Sequence, residues 1–428
     1  MNILLVTNTY TPHVGGVARS VEAFADEYRK RGHRVLVVAP EFPDMPEAER
    51  GVLRVPAIQE FNASDFSVVL PAHPPLTEAI DDFGPDIVHS QHPFLLGSTA
   101  VRVARHRGLP LVFTHHTLYE QYTHYVPGDS PALKRFTIEL ATRYANLCDQ
   151  VFAPSESLRD LVRERGVTTP VEVIPTGVYT ERFAEGDGAG FRRDAGIPPD
   201  ALVIGHLGRL APEKNLPFLA EAVAQFIGEQ PQAHFLVIGS GPSEDEMRAI
   251  FAGAGIESRL HFAGTLQGQA LADALHAMDL FAFASKSETQ GMVLTEAMAA
   301  GLPVIALDAS GVREVVNDRE NGRLLREETP AAFAAALRWA AVRDEDAFAA
   351  LRQAALDTAE AYSMERCAAT ALACYRAARA RSASETGPAQ TRWEEVLGAL
   401  RTEWALFMNL AGAGDAALGG ERIPREPR

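Results

Sequence analysis

The 428-residue chain predicts an α/β protein of two doubly wound domains facing across a cleft, plus a C-terminal helical tail. Three observations carry that expectation. Short apolar runs alternate with amphipathic helical stretches through the first part of the chain. The same alternation starts afresh after residue 200, and a small polar stretch then sets off one last segment of helical periodicity. Continuous apolar runs bounded by Gly, Pro and Asp are the mark of parallel strands covered on both faces, where no residue position faces water.

In chain order, strands are expected over 3–7, 35–39, 53–55, 87–89, 111–114, 151–153 and 171–174, with helices such as 17–31 and 98–107 between them. These make an N-terminal, Rossmann-like domain over 1–184, read as the acceptor domain once the likeness described below is taken into account. Residues 185–199 are rich in Gly, Asp and Pro and are expected to form the linker. Strands over 202–206, 234–238, 260–262, 280–284, 304–306 and 323–325 then build a second Rossmann-like domain over 200–381, ending in a helical stretch near 364–381. Ligands of open α/β sheets bind at the carboxyl ends of the strands, so the loops there are the place to look for chemistry. After 382–390, Trp393, Val396, Leu397, Leu400, Trp404, Phe407 and Leu410 recur at helical spacing. An amphipathic helix over 390–410 could pack across both domains or serve as an interfacial or partner-binding helix. Residues 411–428 are expected to be disordered.

Composition excludes several classes. A net charge of −16 is wrong for a general nucleic-acid binder, which needs clustered cations to neutralise phosphates. No apolar run is long enough for a membrane span, and Met1-Asn2-Ile3-Leu4-Leu5-Val6 runs straight into a strand with no leader pattern. Cys148, Cys367 and Cys374 have neither zinc spacing nor a disulfide framework, which suits a reducing cytoplasm.

The most informative stretch is Ser285 to Pro303. It joins an apolar strand to an alanine-rich helix expected to begin near Met292, with Glu288 in the loop and Glu296 about one turn into the helix. Open backbone N–H groups at a helix start favour phosphate, and carboxylates accept hydrogen bonds from sugar hydroxyls. Gly15-Gly16 follows the first strand, where paired glycines let the backbone approach a ligand. His115 and His116 end the fifth strand, in a run with His124 and three tyrosines that reads as a ligand-facing wall or, more plainly, as packed and capping residues. Arg209 and Lys214 follow the first strand of the second domain, where a guanidinium fork and a point charge suit phosphate oxygens. Gly239-Ser240-Gly241 lacks the third glycine of a dinucleotide fingerprint and reads as a β–α turn. The chain has no P-loop, no His-Glu-x-x-His, no Gly-x-Ser-x-Gly and no Asp-x-Asp at a strand end.

Assembled, these residues resemble the family 4 retaining glycosyltransferases of the GT-B fold over roughly residues 1–380. The likeness rests on Gly15-Gly16, on Gly208-Arg209 with Glu213-Lys214-Asn215, and on Glu288 and Glu296 in a Glu-x7-Glu motif. The resemblance implies a nucleotide-sugar donor held mainly by the second domain. Arg209 and Lys214 would neutralise the diphosphate, Glu296 would bind ribose, and Glu288 would contact the transferred sugar. Backbone N–H groups of Thr289, Gln290, Gly291 and Met292, with Val293 following, would support sugar and phosphate. Gly15 and Gly16 would approach the diphosphate, and His116 would lie against the sugar. Catalytic roles therefore fall to His116, Glu288, Arg209 and Lys214, with no metal and no cofactor beyond the co-substrate. Retention implies front-face attack, the leaving phosphate taking the acceptor's proton.

A narrower likeness, in residues 114–125 and Ser287-Glu288-Thr289-Gln290-Gly291, is to bacterial diacylglycerol glucosyltransferases, which make glycolipids from UDP-glucose. It implies a diacylglycerol-type acceptor, peripheral contact with anionic membrane, and a place in the cytoplasm or at the inner face of the cytoplasmic membrane. The basic helix usual in those enzymes is weak here: residues 133–147 hold Lys134, Arg135 and Arg143 against Glu139. The alternatives are a soluble acceptor (a sugar phosphate, inositol phosphate or polysaccharide end), a sugar-nucleotide epimerase, and a nucleotide-sugar binder without transfer.

Overall fold

The computed structural model describes residues 1–13, 15–58, 68–69, 74–121, 123, 130–385 and 392–418. The chain divides into two compact units, the first comprising Met1–Thr176 and the segment from Cys367 onward, the second Gly177–Arg366.

The first unit opens with β1 (Asn2–Val6), α1 (Gly16–Lys30), β2 (Arg34–Pro40) and β3 (Val52–Val55). A short antiparallel ribbon follows, β4 (Ala57–Ile58) with β5 (Val68–Val69), which the sequence did not foreshadow. Then come α2 (Pro74–Phe83), β6 (Ile87–Ser90), α3 (Leu96–Arg107), β7 (Leu111–Thr114), α4 (Pro131–Ala145), β8 (Gln150–Ala153), α5 (Glu156–Glu164) and β9 (Val171–Val173). Seven strands form one parallel sheet in the order β3-β2-β1-β6-β7-β8-β9. Strands β6, β7 and β8 are buried at every residue, as their apolar runs require. Helix starts follow local rules: Ser130 and Ser155 accept hydrogen bonds from Leu133 N and Leu158 N, and Pro131 follows the first of them at N1.

The second unit repeats the plan: α6 (Gly188–Asp194), β10 (Leu202–Leu207), α7 (Leu216–Glu229), β11 (Ala233–Ile238), α8 (Glu244–Gly253), β12 (Leu260–Gly264), α9 (Gly268–His276), β13 (Leu280–Phe283), α10 (Met292–Ala299), β14 (Val304–Leu307), β15 (Gly322–Leu325), α11 (Pro330–Ala341) and α12 (Glu345–Ala361). Its six strands are parallel in the order β12-β11-β10-β13-β14-β15. Alternate strand residues feed two separate cores, one on each face. Val203, Leu236, Phe281 and Val304 pack on one side, and Ile204, Phe235, Leu280 and Ile305 on the other.

All thirteen strands expected from the apolar runs are present, to within two residues at each end. The expected linker over 185–199 is instead ordered within the second unit. It contains α6, whose Arg192 donates to Asp279 Oδ2 at 2.9 Å and to the Ala277 carbonyl at 2.8 Å, while Asp187 N donates to Asp273 Oδ1 at 2.8 Å. Gly- and Asp-rich composition here serves close packing: a Cβ on Gly188 would lie 2.1 Å from the His276 carbonyl oxygen.

Helix α13 (Met364–Glu385) joins the first unit from Cys367, so residues 367–381 do not stay with the second domain as expected. The physical reason is Tyr375. Its ring is fully buried, stacked on Phe152 at 5.8 Å and edge-on to His89 and Tyr28, each at 5.6 Å. Its hydroxyl lies 2.5 Å from His89 Nδ1. Arg379 adds a bond to Asp86 Oδ1 at 2.8 Å and Arg381 one to Gln150 Oε1 at 3.1 Å. Helix α14 (Arg392–Leu418) then packs on α3 and α4 of the same unit. It continues through 411–418, which were expected to be disordered, because Ala413 is buried there and the Ala417 carbonyl accepts from Arg135 at 2.8 Å. Residues 419–428 lie outside the described residues. Among the described residues no helix is long and apolar enough to cross a membrane.

Tyr375→Ala should therefore destabilise the first unit by about 3 kcal/mol, the cost of emptying a buried aromatic site. Tyr375→Phe, which keeps the ring and loses only the hydroxyl, should cost about 1 kcal/mol. Urea unfolding of the two variants against the unaltered chain measures the difference.

Candidate functional site

In each sheet the strand order reverses beside the first strand, and a crevice at the carboxyl ends of the strands follows from that topology. In the second unit the reversal lies between β10 and β13. The loop after β10 carries Arg209, Glu213 and Lys214, and the loop after β13 carries Ser285 to Gly291. The two loops meet through one ion pair: Lys214 Nζ donates to Glu288 Oε1 at 2.5 Å, with both side chains more than four-fifths buried. Ser287 Oγ reaches the Glu213 carbonyl at 3.4 Å, a second tie between the same loops. Burial raises the Glu288 pKa, but the charge and hydrogen bond of Lys214, with help from Ser285 and His206, lower it further, and the net shift is downward. Glu288 is therefore a carboxylate, an acceptor only, and it is not poised as a proton donor.

Arg209 turns to Glu213 at 2.5 Å and is half-exposed, so its guanidinium sits at the rim while Lys214 sits inside. Beneath the pair lies His206, on β10, with its ring stacked on Phe281 and Phe283 at 6.2 and 6.1 Å. Its Nδ1 is 3.1 Å from the Ala282 carbonyl, which assigns the ring proton to Nδ1 and leaves Nε2 as a bare, buried acceptor. Burial is the main cause that lowers the His206 pKa, to about 4.

The glutamate loop owes its shape to two glycines. Gly291 adopts φ +73, ψ +50 and is the N-cap of α10. That left-handed conformation favours glycine, and among the described residues no side chain caps the helix start. Gly311, in the loop after β14, has φ +75, and a Cβ there would lie 2.6 Å from Gln290 N and 2.7 Å from the Thr289 carbonyl carbon. The chain after β14 thus lies directly against the loop and holds Thr289 and Gln290 in place. Gln290 is buried, Met292 and Val293 are half-buried at the helix start, and Glu296, one turn on, is buried.

In the first unit Gly15 is the N-cap of α1 and Gly16 its first residue. A Cβ on Gly16 would meet nothing within 4 Å, so no described neighbour in the fold demands a glycine there. His116, just past β7, donates from Nε2 to Gln91 Oε1 at 2.7 Å. Burial, and then the nearby His92, His89 and His115, hold His116 well below the ordinary imidazole range, so it is neutral. His116 and Gln91 line a small pocket of the first unit together with Phe24, Phe152 and Ile174. Ser20 Oγ and Thr176 Oγ1, 2.6 Å apart, add two hydroxyls to its wall. His115 instead faces inward and is buried. Tyr122, His124 and Tyr125 lie outside the described residues. Among the described residues no three His, Cys, Asp or Glu side chains group as a cation site.

The family description Glycosyltransferase Family 4 matches residues 14–182, and Glycosyl transferases group 1 matches residues 189–356. A GDP-mannose-dependent alpha-mannosyltransferase of Mycolicibacterium smegmatis is 32% identical over 335 residues, covering 76% of this chain and 84% of the relative. The chain belongs to the family 4 glycosyltransferases. Another relative of this glycosyltransferase is the alpha-monoglucosyldiacylglycerol synthase of Streptococcus pneumoniae, 29% identical over 330 residues, which are 76% of this chain and 75% of that one. Anabaena HepE, solved in complex with UDP-glucose, is similar in structure with a TM-score of 0.68 at 21% identity, over 87% of this chain and 100% of the other. The fold is GT-B, with two parallel-sheet Rossmann-like domains and a helical C-terminal region.

Within the second unit the structure brings Lys214 and Glu288 into contact and places Gln290, Gly291 and Met292 at the start of α10. Arg209 joins the same loop but pairs with Glu213. Sequence reasoning passed over His206, Gln91 and Gly311. Each had a signal: all three lie at or just past the carboxyl end of a recognisable strand, the position from which such sheets present side chains.

Four buried histidines of the glycosyltransferase make its stability depend on acid. Burial lowers His89, His92 and His115 to about 3 and His206 to about 4, all below the ordinary 6.5. The unfolded chain then binds more protons than the folded one, so stability is full above pH 6.5 and is lost as pH falls toward 4 and below. Each histidine contributes a slope of about 1.4 kcal/mol per pH unit in that window. Urea midpoints at pH 7.5, 6 and 5 should fall in that order, and His206→Phe should make the decline shallower; a midpoint constant across the range would contradict the assignment.

Proposed function

We propose that this glycosyltransferase moves a hexose, glucose from UDP-glucose, with retention onto a hydroxyl of a diacylglycerol-type lipid, without a metal ion. The observation that carries the reading is the Lys214–Glu288 pair where strand order reverses in the second sheet. An ammonium group offers three donors, and the one given to Glu288 holds the group between the two loops. In the proposed reaction the bond from the sugar's anomeric carbon to the diphosphate breaks while the acceptor oxygen bonds to the same face. The acceptor's proton passes to the departing phosphate. Negative charge grows on that phosphate, where Lys214, Arg209 and the open start of α10 would stabilise it, so no Lewis acid is needed.

Glu288, held as a carboxylate, would accept from hydroxyls of the transferred sugar, and Glu296 from ribose. Thr289, Gln290, Gly291, Met292 and Val293 would support sugar and phosphate through their backbone. Gly15 and Gly16 would admit the diphosphate, a role consistent with the empty space where a Gly16 side chain would stand. Neutral His116 would contact the sugar. The lipid acceptor is supported by the likeness to a monoglucosyldiacylglycerol synthase. A second reading, GDP-mannose as donor, is favoured by the mannosyltransferase relative.

Glu288→Gln, Lys214→Ala and His116→Ala should each lower transfer by at least about tenfold in a folded protein, the scale of losing one preorganised charge or donor. Near-normal rates in all three would overturn the site. A donor panel of UDP-glucose and GDP-mannose against diacylglycerol in detergent micelles and against soluble sugars, read by mass spectrometry, decides donor and acceptor. Treatment with EDTA should leave the rate unchanged.

A further inference from the structure

Helix α14 follows the second of the two family-matched regions, and its outward face is unlike the rest of the surface. Among the described residues seven large apolar side chains are exposed, and four of them, Trp404, Phe407, Met408 and Leu410, fall within seven consecutive positions of α14. Trp404, Phe407 and Met408 stand at i, i+3 and i+4, one stripe of the helix, with the Trp404 and Phe407 rings 5.7 Å apart. Trp404 is 63% exposed and Phe407 58%. The opposite side of the helix is the packed one: Asn409 and Ala413 are buried and Leu406 packs against the core of the first unit. Concentrated exposure of this kind marks an interaction surface, where scattered single residues would not.

The helices that carry α14 are basic. Helix α3 has Arg102, Arg105 and Arg107 with no acidic residue, and α4 has Lys134, Arg135 and Arg143 against Glu139 alone; α14 itself carries Arg392 and Arg401 against Glu394, Glu395, Glu403 and Asp415, which leaves the three helices together with an excess of three positive charges. That local excess of positive charge stands in a chain whose net charge is −16. We propose that the outward face of α14, with the basic α3–α4 pair beneath it, docks on an anionic lipid bilayer. The aromatic stripe would lie at the boundary of headgroups and acyl chains, where an indole keeps its N–H hydrated and buries its ring. Arg102, Arg107 and Arg143 are already paired with Glu403, Asp81 and Glu139, and Arg105 and Lys134 would face lipid phosphates, each adding about 1 kcal/mol of attraction. A second copy of the chain fits worse. A two-fold contact would bring together two surfaces of the same net positive sign. The surface extends the lipid-acceptor reading, but the two fail separately, since transfer to diacylglycerol in detergent micelles needs no bilayer.

Flotation of the full-length protein with vesicles tests the surface. With vesicles of phosphatidylcholine containing about one third phosphatidylglycerol the protein should float, and with phosphatidylcholine alone it should bind at least about tenfold more weakly. W404E/F407E should lose binding to the anionic vesicles by at least about tenfold while keeping transfer in micelles. K134E/R401E should weaken binding and reduce the preference for anionic lipid. Tryptophan emission should shift to the blue on binding, and the conservative Trp404→Phe variant should remove that shift. The proposal is overturned if the protein stays unbound with both vesicles, if W404E/F407E floats undiminished, or if the protein is a dimer that W404E/F407E converts to monomers.

Discussion

The Lys214–Glu288 ion pair closes the one place in the second sheet where neighbouring strands send their loops in opposite directions. Without a bridge, two loops leaving a reversal point diverge, because one crossover runs to each side of the sheet. The pair ties them, and its burial means that neither partner can be removed without stranding a charge. Around it the other features follow: Gly291 turns the chain into α10, Gly311 presses against Thr289 and Gln290 from below, and the Phe281–His206–Phe283 stack forms the floor. The glutamate loop is thus held from several sides by groups of the second unit itself.

The first unit relies on a different device, a set of histidines kept neutral by burial. His116 gives its Nε2 proton to Gln91, and His89 is enclosed by Thr114, Phe152 and Tyr375. A neutral imidazole brings no charge to the pocket it lines and offers directional hydrogen bonding. The geometry at His89 depends on α13, because Tyr375 packs against its ring and bonds its Nδ1. Residues near the C-terminus therefore set the surroundings of a strand end formed near position 90.

Legibility followed the range of the physics involved. Strands could be read from the sequence because burial on both faces favours apolar runs: β6, β7, β8, β13 and β14 are buried at every residue, and only His89, Ser90, Thr114 and Gln150 among their residues are polar. Glu288 and Lys214 could be read as candidate site residues because they stand at strand ends in recognisable motifs. Their contact with each other could not, because they are 74 positions apart and no local rule pairs them. The linker was misplaced for a related reason. Gly, Asp and Pro over 185–199 look like a flexible joint, yet here they permit close packing and a part-buried Arg192–Asp279 bond.

By itself the sequence determined the two sheets, the motifs at their carboxyl ends and the membership of a glycosyltransferase family, since these depend on periodicity and on residues near each other in the chain. Only the tertiary structure decided that Lys214 holds Glu288, that Gly311 supports the glutamate loop, that the last helices return to the first unit, and which face of α14 is left exposed. Each of those depends on contacts between distant segments. Such contacts are chosen by the shape and charge of the folded surface, and no window of sequence contains them.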